Sequence, residues 1–179
     1  MKKSILIFSF LISIIFSCKK SNDPAPTRTS LIAKTWLLTS ITFSPSLAVS
    51  YYGSTIQLTD ATLLLKDCTK DDLYIFNSDK TFVVDEGLTK CNTSDPQTKA
   101  KGVWSLSKDP NSVNKTDSTL LNFNYNLVNI SGNIIVINPT TLQISTNAAN
   151  LASAFVASNA AYSIDSKSTS VATVTFTAK

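Results

Sequence analysis

The sequence predicts an all-β protein, a small antiparallel up-and-down barrel or sandwich of about eight strands, with a short helical insertion before the last strand. Three observations carry this expectation. The chain is rich in Thr, Ser, Asn, Leu, Ile and Val with only 4 Gly, a composition that suits sheets joined by polar loops. Thr119 to Leu127 alternates strictly, with Leu121, Phe123, Tyr125 and Leu127 on one face and Asn122, Asn124 and Asn126 on the other; this is the period of a half-buried strand. Leu73 to Glu86 reads as a β-hairpin, two aromatic and β-branched runs around the polar loop Asn77-Ser78-Asp79-Lys80. A lone sheet would leave one face of all these strands unburied, so closure into a barrel is preferred.

The elements follow in order. Ser30 is expected to cap a short helical turn over Leu31 to Lys34. Thr35 to Phe43 reads as a strand, being too β-branched and aromatic for a good helix, and Ser44 to Ser54, with Pro45 and Gly53, as a long loop. Thr59 to Leu65 fits either a helical turn or a buried strand. After the hairpin come strands over Ala100 to Leu106 and Thr119 to Leu127. A second hairpin joins Asn133–Ile137 to Leu142–Thr146 through the turn Asn138-Pro139-Thr140-Thr141. Ala148 to Tyr162 is alanine-rich, with Leu151, Phe155 and Tyr162 on one helical face. Ser168 to Thr177 closes the chain as a strand.

The N-terminus speaks of location. Lys2 and Lys3 precede an apolar run from Ile5 to Phe16, and Ile15-Phe16-Ser17 leads into Cys18. A basic opening, a short apolar stretch and a small residue before the cut make a secretory signal, and the run is too short for a transmembrane helix. The block ending at Cys18 resembles the lipobox of bacterial lipoproteins, which implies cleavage after Ser17 and a lipidated Cys18. Residues 1–17 are then a signal peptide, 18–29 a lipidated tether, and 30–179 one domain. Eleven polar residues, Lys19 to Thr29, would reach at most about 35–40 Å when extended, so the domain stays close to its membrane. Lys19 and Lys20, with no acidic run behind the cysteine, point to the periplasmic face of the outer membrane.

Composition excludes much. The chain has no His, which removes Ser-His and Cys-His nucleophiles, imidazole zinc sites and His general bases. No phosphate-cradling glycine loop occurs. The formal net charge is +4 and falls by two when Lys2 and Lys3 leave with the signal. With no basic run interleaved with aromatics, nucleic acid is excluded as a partner. The expectation is a non-enzyme without a cofactor or metal. The paired acids Asp71-Asp72 and Asp85-Glu86 at strand termini have the chemistry to bind a cation or do acid/base work, but with nothing else to support that they read as solvated or capping groups. In an oxidising compartment Cys68 and Cys91 are left as one pair. They flank the two strands of the hairpin, which brings them back together across it.

Taken together, Leu31 to Leu38 with Trp36, Cys68-x-x-Asp71-Asp72, Phe76-x-x-Asp79-x-x-Phe82, Cys91, Gly102-x-Trp104-x-Leu106, Thr140-Thr141-Leu142 and Thr175-Phe176 resemble the lipocalin-like domains of bacterial lipoproteins. The family usually carries glycine two residues before the first tryptophan; Lys34 stands there. The resemblance implies a small barrel whose interior can hold an apolar or amphipathic ligand. Alternation puts Trp36, Leu38, Phe76, Phe82, Val84, Trp104, Leu106, Leu121, Phe123, Tyr125, Leu142, Ile144, Val174 and Phe176 inside, as pocket lining or as packed core. Two functions therefore compete: a membrane-held carrier of a small hydrophobic ligand, or a filled barrel that docks an unidentified protein partner in the cell envelope.

Overall fold

The computed structural model describes residues 24–109, 119–125, 128–151, 162–164 and 168–179. Cys18 and the signal peptide lie outside them.

The first element is helix α1, Arg28–Ile32. Its cap is Thr27, whose side chain accepts the Ser30 amide at 3.1 Å, so Ser30 lies inside the first turn instead of capping it. The earlier start brings Ile32 to full burial, and the Trp36 indole donates to the Ile32 carbonyl at 2.9 Å. Helix and first strand are thus pinned together over one barrel end.

Strand β1 runs Thr35–Tyr51, and β2 returns over Ser54–Asp60. The loop expected at Ser44 to Ser54 is therefore a strand and a two-residue turn. Tyr52 and Gly53 both have positive φ, 46° and 80°, the backbone that a tight hairpin between twisted strands requires. Pro45 survives inside β1 because its missing N–H falls where the ladders lapse. The β1–β10 pairing ends at Ser44, and the β1–β2 register skips between Thr42 and Leu47. Thr59 to Leu65 divides between the end of β2 and a 3-10 turn, Thr62–Leu64. Asp60 Oδ1 accepts the Thr62 amide and Thr62 Oγ1 accepts the Ile41 amide, each at 2.8 Å.

Next come a short helix α2, Asp67–Lys70, and strands β3 (Leu73–Phe76), β4 (Thr81–Asp85), β5 (Thr98–Lys108), β6 (Thr119–Tyr125), β7 (Val128–Ile137) and β8 (Thr141–Asn147). Residues 148–151 are helical, and strands β9 (Tyr162–Ile164) and β10 (Val171–Ala178) follow. The helix expected through Tyr162 is thus overturned at its far end: Tyr162 opens a strand that takes the free edge of β1 at Val49–Tyr51. Leu151 is buried as its helical spacing foretold; Phe155 and Leu127 lie outside the described residues.

Every hydrogen-bonded neighbour is antiparallel, in the order β1-β3-β4-β5-β6-β7-β8-β10, and β10 pairs back with β1. Eight strands therefore close an up-and-down barrel, while β2 and β9 flank the part of β1 that overshoots it. Closure removes the exposed edges that an open sheet of this size would carry.

All fourteen residues expected inside are buried except Leu106, which is half-buried near the end of β5. Many touch across the lumen. Phe76 of β3 and Phe123 of β6 have ring centroids 5.6 Å apart, although two strands intervene and the wall between them measures about 14 Å. Phe82 lies 4.8 Å from Phe76 and 5.1 Å from Phe123, and Trp104 is edge-on to Phe76 at 5.8 Å. One level up, Tyr74 meets Phe176 at 5.3 Å and Tyr125 at 6.4 Å. At these two levels the side chains fill the barrel.

Candidate functional site at the barrel mouth

The β3–β4 hairpin has two unlike ends. At its turn, Phe76 donates to the Lys34 carbonyl, Lys80 sits 3.7 Å over the Trp104 ring centroid, and the Trp104 indole donates to the Asn77 carbonyl at 2.9 Å. With α1 beside it, that end is closed. The opposite end, where Asp72 enters β3 and Glu86 leaves β4, is the mouth.

There alternation does something unforeseen. Asp72 is two residues from inward-facing Tyr74, and Glu86 two from inward-facing Val84, so both acids point inside. They are 2% and 1% exposed, which overturns their reading as solvated or capping groups. Their neighbours behave as expected. Asp71 Oδ2 accepts the amides of Leu88 and Thr89 at 2.8 and 2.9 Å, and Asp85 Oδ1 accepts Gln97 Nε2 at 2.7 Å.

One cation answers the two buried acids. Lys99 Nζ donates to Asp72 Oδ2 at 2.9 Å and lies 3.5 Å from Glu86 Oε1. Its position is an irregularity in the ladder: Val84 pairs with Ala100 but Asp85 with Thr98, leaving Lys99 as the extra residue. Regular alternation would send Lys99 outward with Lys101 and Val103. The bulge re-aims it, a use to which bulges near functional sites are put. Residue type alone carried no trace of this.

The electrostatics follow from burial. Loss of water raises the Asp72 carboxyl above its ordinary value of 3.8; Lys99 pulls it back only in part, and Glu86 and Asp71 add to the rise. For Lys99, which keeps 24% of its side-chain surface, burial pulls the amine down. The hydrogen bond and charge of Asp72, with Tyr125 and Glu86, outweigh that and raise it. Burial, then Tyr125 and Asp72, push the Tyr74 phenol well above 10.0. Three carboxylate oxygens here, Asp71 Oδ1, Asp72 Oδ1 and Glu86 Oε2, are buried without a hydrogen-bond partner; the last two belong to the acids that Lys99 answers. Among the described residues, no group of three or more acids or cysteines is placed to hold a metal ion.

A stapled loop borders the cluster. Cys68 and Cys91 form the expected disulfide, with Cα atoms 5.0 Å apart. Gly87 lets the loop pass under Asp71: a Cβ there would stand 2.2 Å from the Asp71 carbonyl oxygen. Gln97 braces the far side through the Glu86 carbonyl, and the Glu86 amide donates to the Gln97 carbonyl at 2.8 Å. Leu88 projects from the loop 97% exposed, and Leu63 and Leu64 are exposed on the 3-10 turn.

A closed eight-stranded up-and-down barrel, plugged at one end by a helix and polar at the other, defines a small barrel domain of ligand-binding or structural type. The family model of the lipocalin-like domain matches residues 32–144, and the chain belongs to that family. No curated protein and no solved structure matches it. The match starts in α1 and ends in β8, so β10, which closes the barrel, lies beyond it. Lys34, at the position where glycine was expected, needs no glycine backbone. Among the described non-glycine residues only Tyr52 and Lys80 have positive φ, and Lys34 Nζ donates to the Pro139 carbonyl at 2.9 Å across the barrel base.

Proposed function

We propose that this protein is a lipid-anchored, lipocalin-like binding module of the bacterial cell envelope, which takes a small amphipathic ligand at its mouth. The observation that supports this is the division of the inward-facing positions. Below, aromatic rings occupy the lumen and leave it as floor; above, the same inward register carries Asp72, Glu86 and Lys99. A core built for stability alone gains nothing from charges there, because desolvating them costs more than apolar packing of equal volume. A carboxyl raised by burial beside a partly buried lysine that is raised in turn is the kind of perturbed pair that binding sites use. The role is binding, with no catalytic step assigned.

Anchoring rests on the residues around Cys18. Two or three acyl chains at that cysteine would give stable membrane residence, which a single chain does not, and would hold the barrel at the periplasmic face of the outer membrane. Labelling cells with a palmitate analogue should mark the wild type and leave Cys18→Ser unmarked; equal labelling ends the anchoring proposal. For the ligand, the polypeptide from residue 18 on, carrying Cys18→Ser so that no acyl chain competes, is titrated with an amphipathic fluorophore. Saturation at about one per chain supports the reading, and no uptake by the folded protein refutes it. The second reading, a scaffold that docks a protein partner, is favoured by the ring contacts across the lumen and by exposed Leu63, Leu64 and Leu88; it stands alone if no amphiphile binds.

A further inference from the structure

The mouth holds two buried carboxylates and one ammonium. Each acid gives one oxygen to Lys99, Asp72 through Oδ2 and Glu86 through Oε1. The other oxygen of each, Asp72 Oδ1 and Glu86 Oε2, is buried and has no donor. An unpaired carboxylate oxygen away from water is costly. Because both residues are almost fully buried, side-chain motion at the surface does not relieve it. Both acids lie against one ammonium, so a second positively charged donor is the group that suits their remaining oxygens, since charge-assisted hydrogen bonds to carboxylate are the strong ones. We infer that the mouth selects a ligand with a cationic head, a primary ammonium on an apolar chain, whose nitrogen pairs with Asp72 Oδ1 and Glu86 Oε2 beside Lys99. This rests on the binding reading above and adds the charge of the head group.

Beneath the acids the lumen is filled, Tyr74 stacking on Tyr125, so the apolar chain of such a ligand extends outward from the mouth, on the side where the loop presents exposed Leu88. The protein's overall charge works the other way. Without Lys2 and Lys3 the formal net charge of +4 falls by two but stays positive and attracts anions at long range, so nonspecific association favours an anionic amphiphile. A preference for the cation therefore reports the local acids and not the global field.

The test compares dodecylammonium, dodecanol and dodecanoate, each below its micelle concentration, with calcium and potassium ions alone as further arms. Titration calorimetry on the polypeptide from residue 18, carrying Cys18→Ser, reads affinity and stoichiometry. The expected result is dodecylammonium bound at about one per chain and at least tenfold tighter than the other two. Asp72→Asn and Glu86→Gln should each remove most of that preference while leaving dodecanol unchanged. The wild-type ranking decides the matter even where a variant fails to fold. Dodecanol or dodecanoate binding as tightly as the amine overturns the cationic head and leaves the binding module standing. No binding by any amphiphile takes down both. Stabilisation by calcium or potassium alone, lost in Glu86→Gln, assigns the two oxygens to an inorganic cation and overturns the amine.

Discussion

The two ends of the β3–β4 hairpin use the same strands and the same inward register to opposite effect. At the closed end, Trp36 and Trp104 are buried with their indole N–H groups donating to the carbonyls of Ile32 and Asn77, and Phe76, Phe82 and Phe123 fill the space between. At the mouth, Asp72 and Glu86 are as deeply buried, yet each keeps an oxygen without a donor. Burial is common to both ends; satisfaction of polar groups is not. The closed end has the properties of a stability core. The mouth gives up stability in the way functional sites do, where local rules are broken and the remainder of the fold compensates.

Breaking the closed end should have the largest effect. Phe82 is fully buried and touches Tyr74, Phe76 and Phe123, so Phe82→Ala should cost about 3–5 kcal/mol, the usual range for emptying a packed aromatic site. Urea unfolding measures it. A loss below about 1 kcal/mol would mean that the floor is loosely packed and that the contrast between the ends is false.

The disulfide comes next, and it sharpens the contrast because it belongs to the mouth alone. Cys68 and Cys91 are 23 residues apart, and freeing a loop of that length costs about 3 kcal/mol in the chain-entropy model. In the doubly substituted Cys68→Ser, Cys91→Ser chain, the Leu88 and Thr89 amides held by Asp71 should exchange faster with solvent. The Trp104 amide, which donates to the Lys80 carbonyl at 2.8 Å, should keep its protection relative to global unfolding. Equal acceleration at both places would show that the two ends form one cooperative unit.

The sequence disclosed the closed end more fully than the mouth, for physical reasons. Aromatic and β-branched residues in alternation state their own burial, so Trp36, Phe76, Phe82, Trp104 and Phe123 were legible one by one, and the cysteine pair followed from the hairpin between them. The same parity, carried two residues beyond Tyr74 and Val84, reaches Asp72 and Glu86. That signal was present but was overridden by the habit of putting acids in water. Lys99 was not legible, since a single-residue bulge between Thr98 and Ala100 leaves no mark in composition. Nor was the length of β1: Pro45 reads as a breaker until the lapses in its ladders are known, and a Tyr-Gly turn is a weaker hairpin signal than Asn-Gly.

The smallest effect is also the most specific, because it sets two adjacent residues against each other. Burial raises the Asp71 carboxyl, but hydrogen bonds from Thr89 and Leu88 together outweigh it and hold the group below its ordinary value of 3.8. Burial leaves Asp72 above 3.8. Linkage then gives the two groups opposite signs. The stabilising contribution of Asp71 is present above 3.8 and fades as the pH falls through its lower folded value. That of Asp72 is full below 3.8 and fades as the pH rises through its higher folded value. The advantage of the wild type over Asp71→Asn should therefore shrink on acidification. Its advantage over Asp72→Asn should shrink as the pH climbs from about 4 toward neutrality. Urea unfolding of the three proteins across that range measures both slopes, with Glu86, Lys99 and Tyr74 as the common background. Parallel slopes would mean that Asp72 ionises as freely as a surface acid and that the mouth holds no buried charge to spare for a ligand.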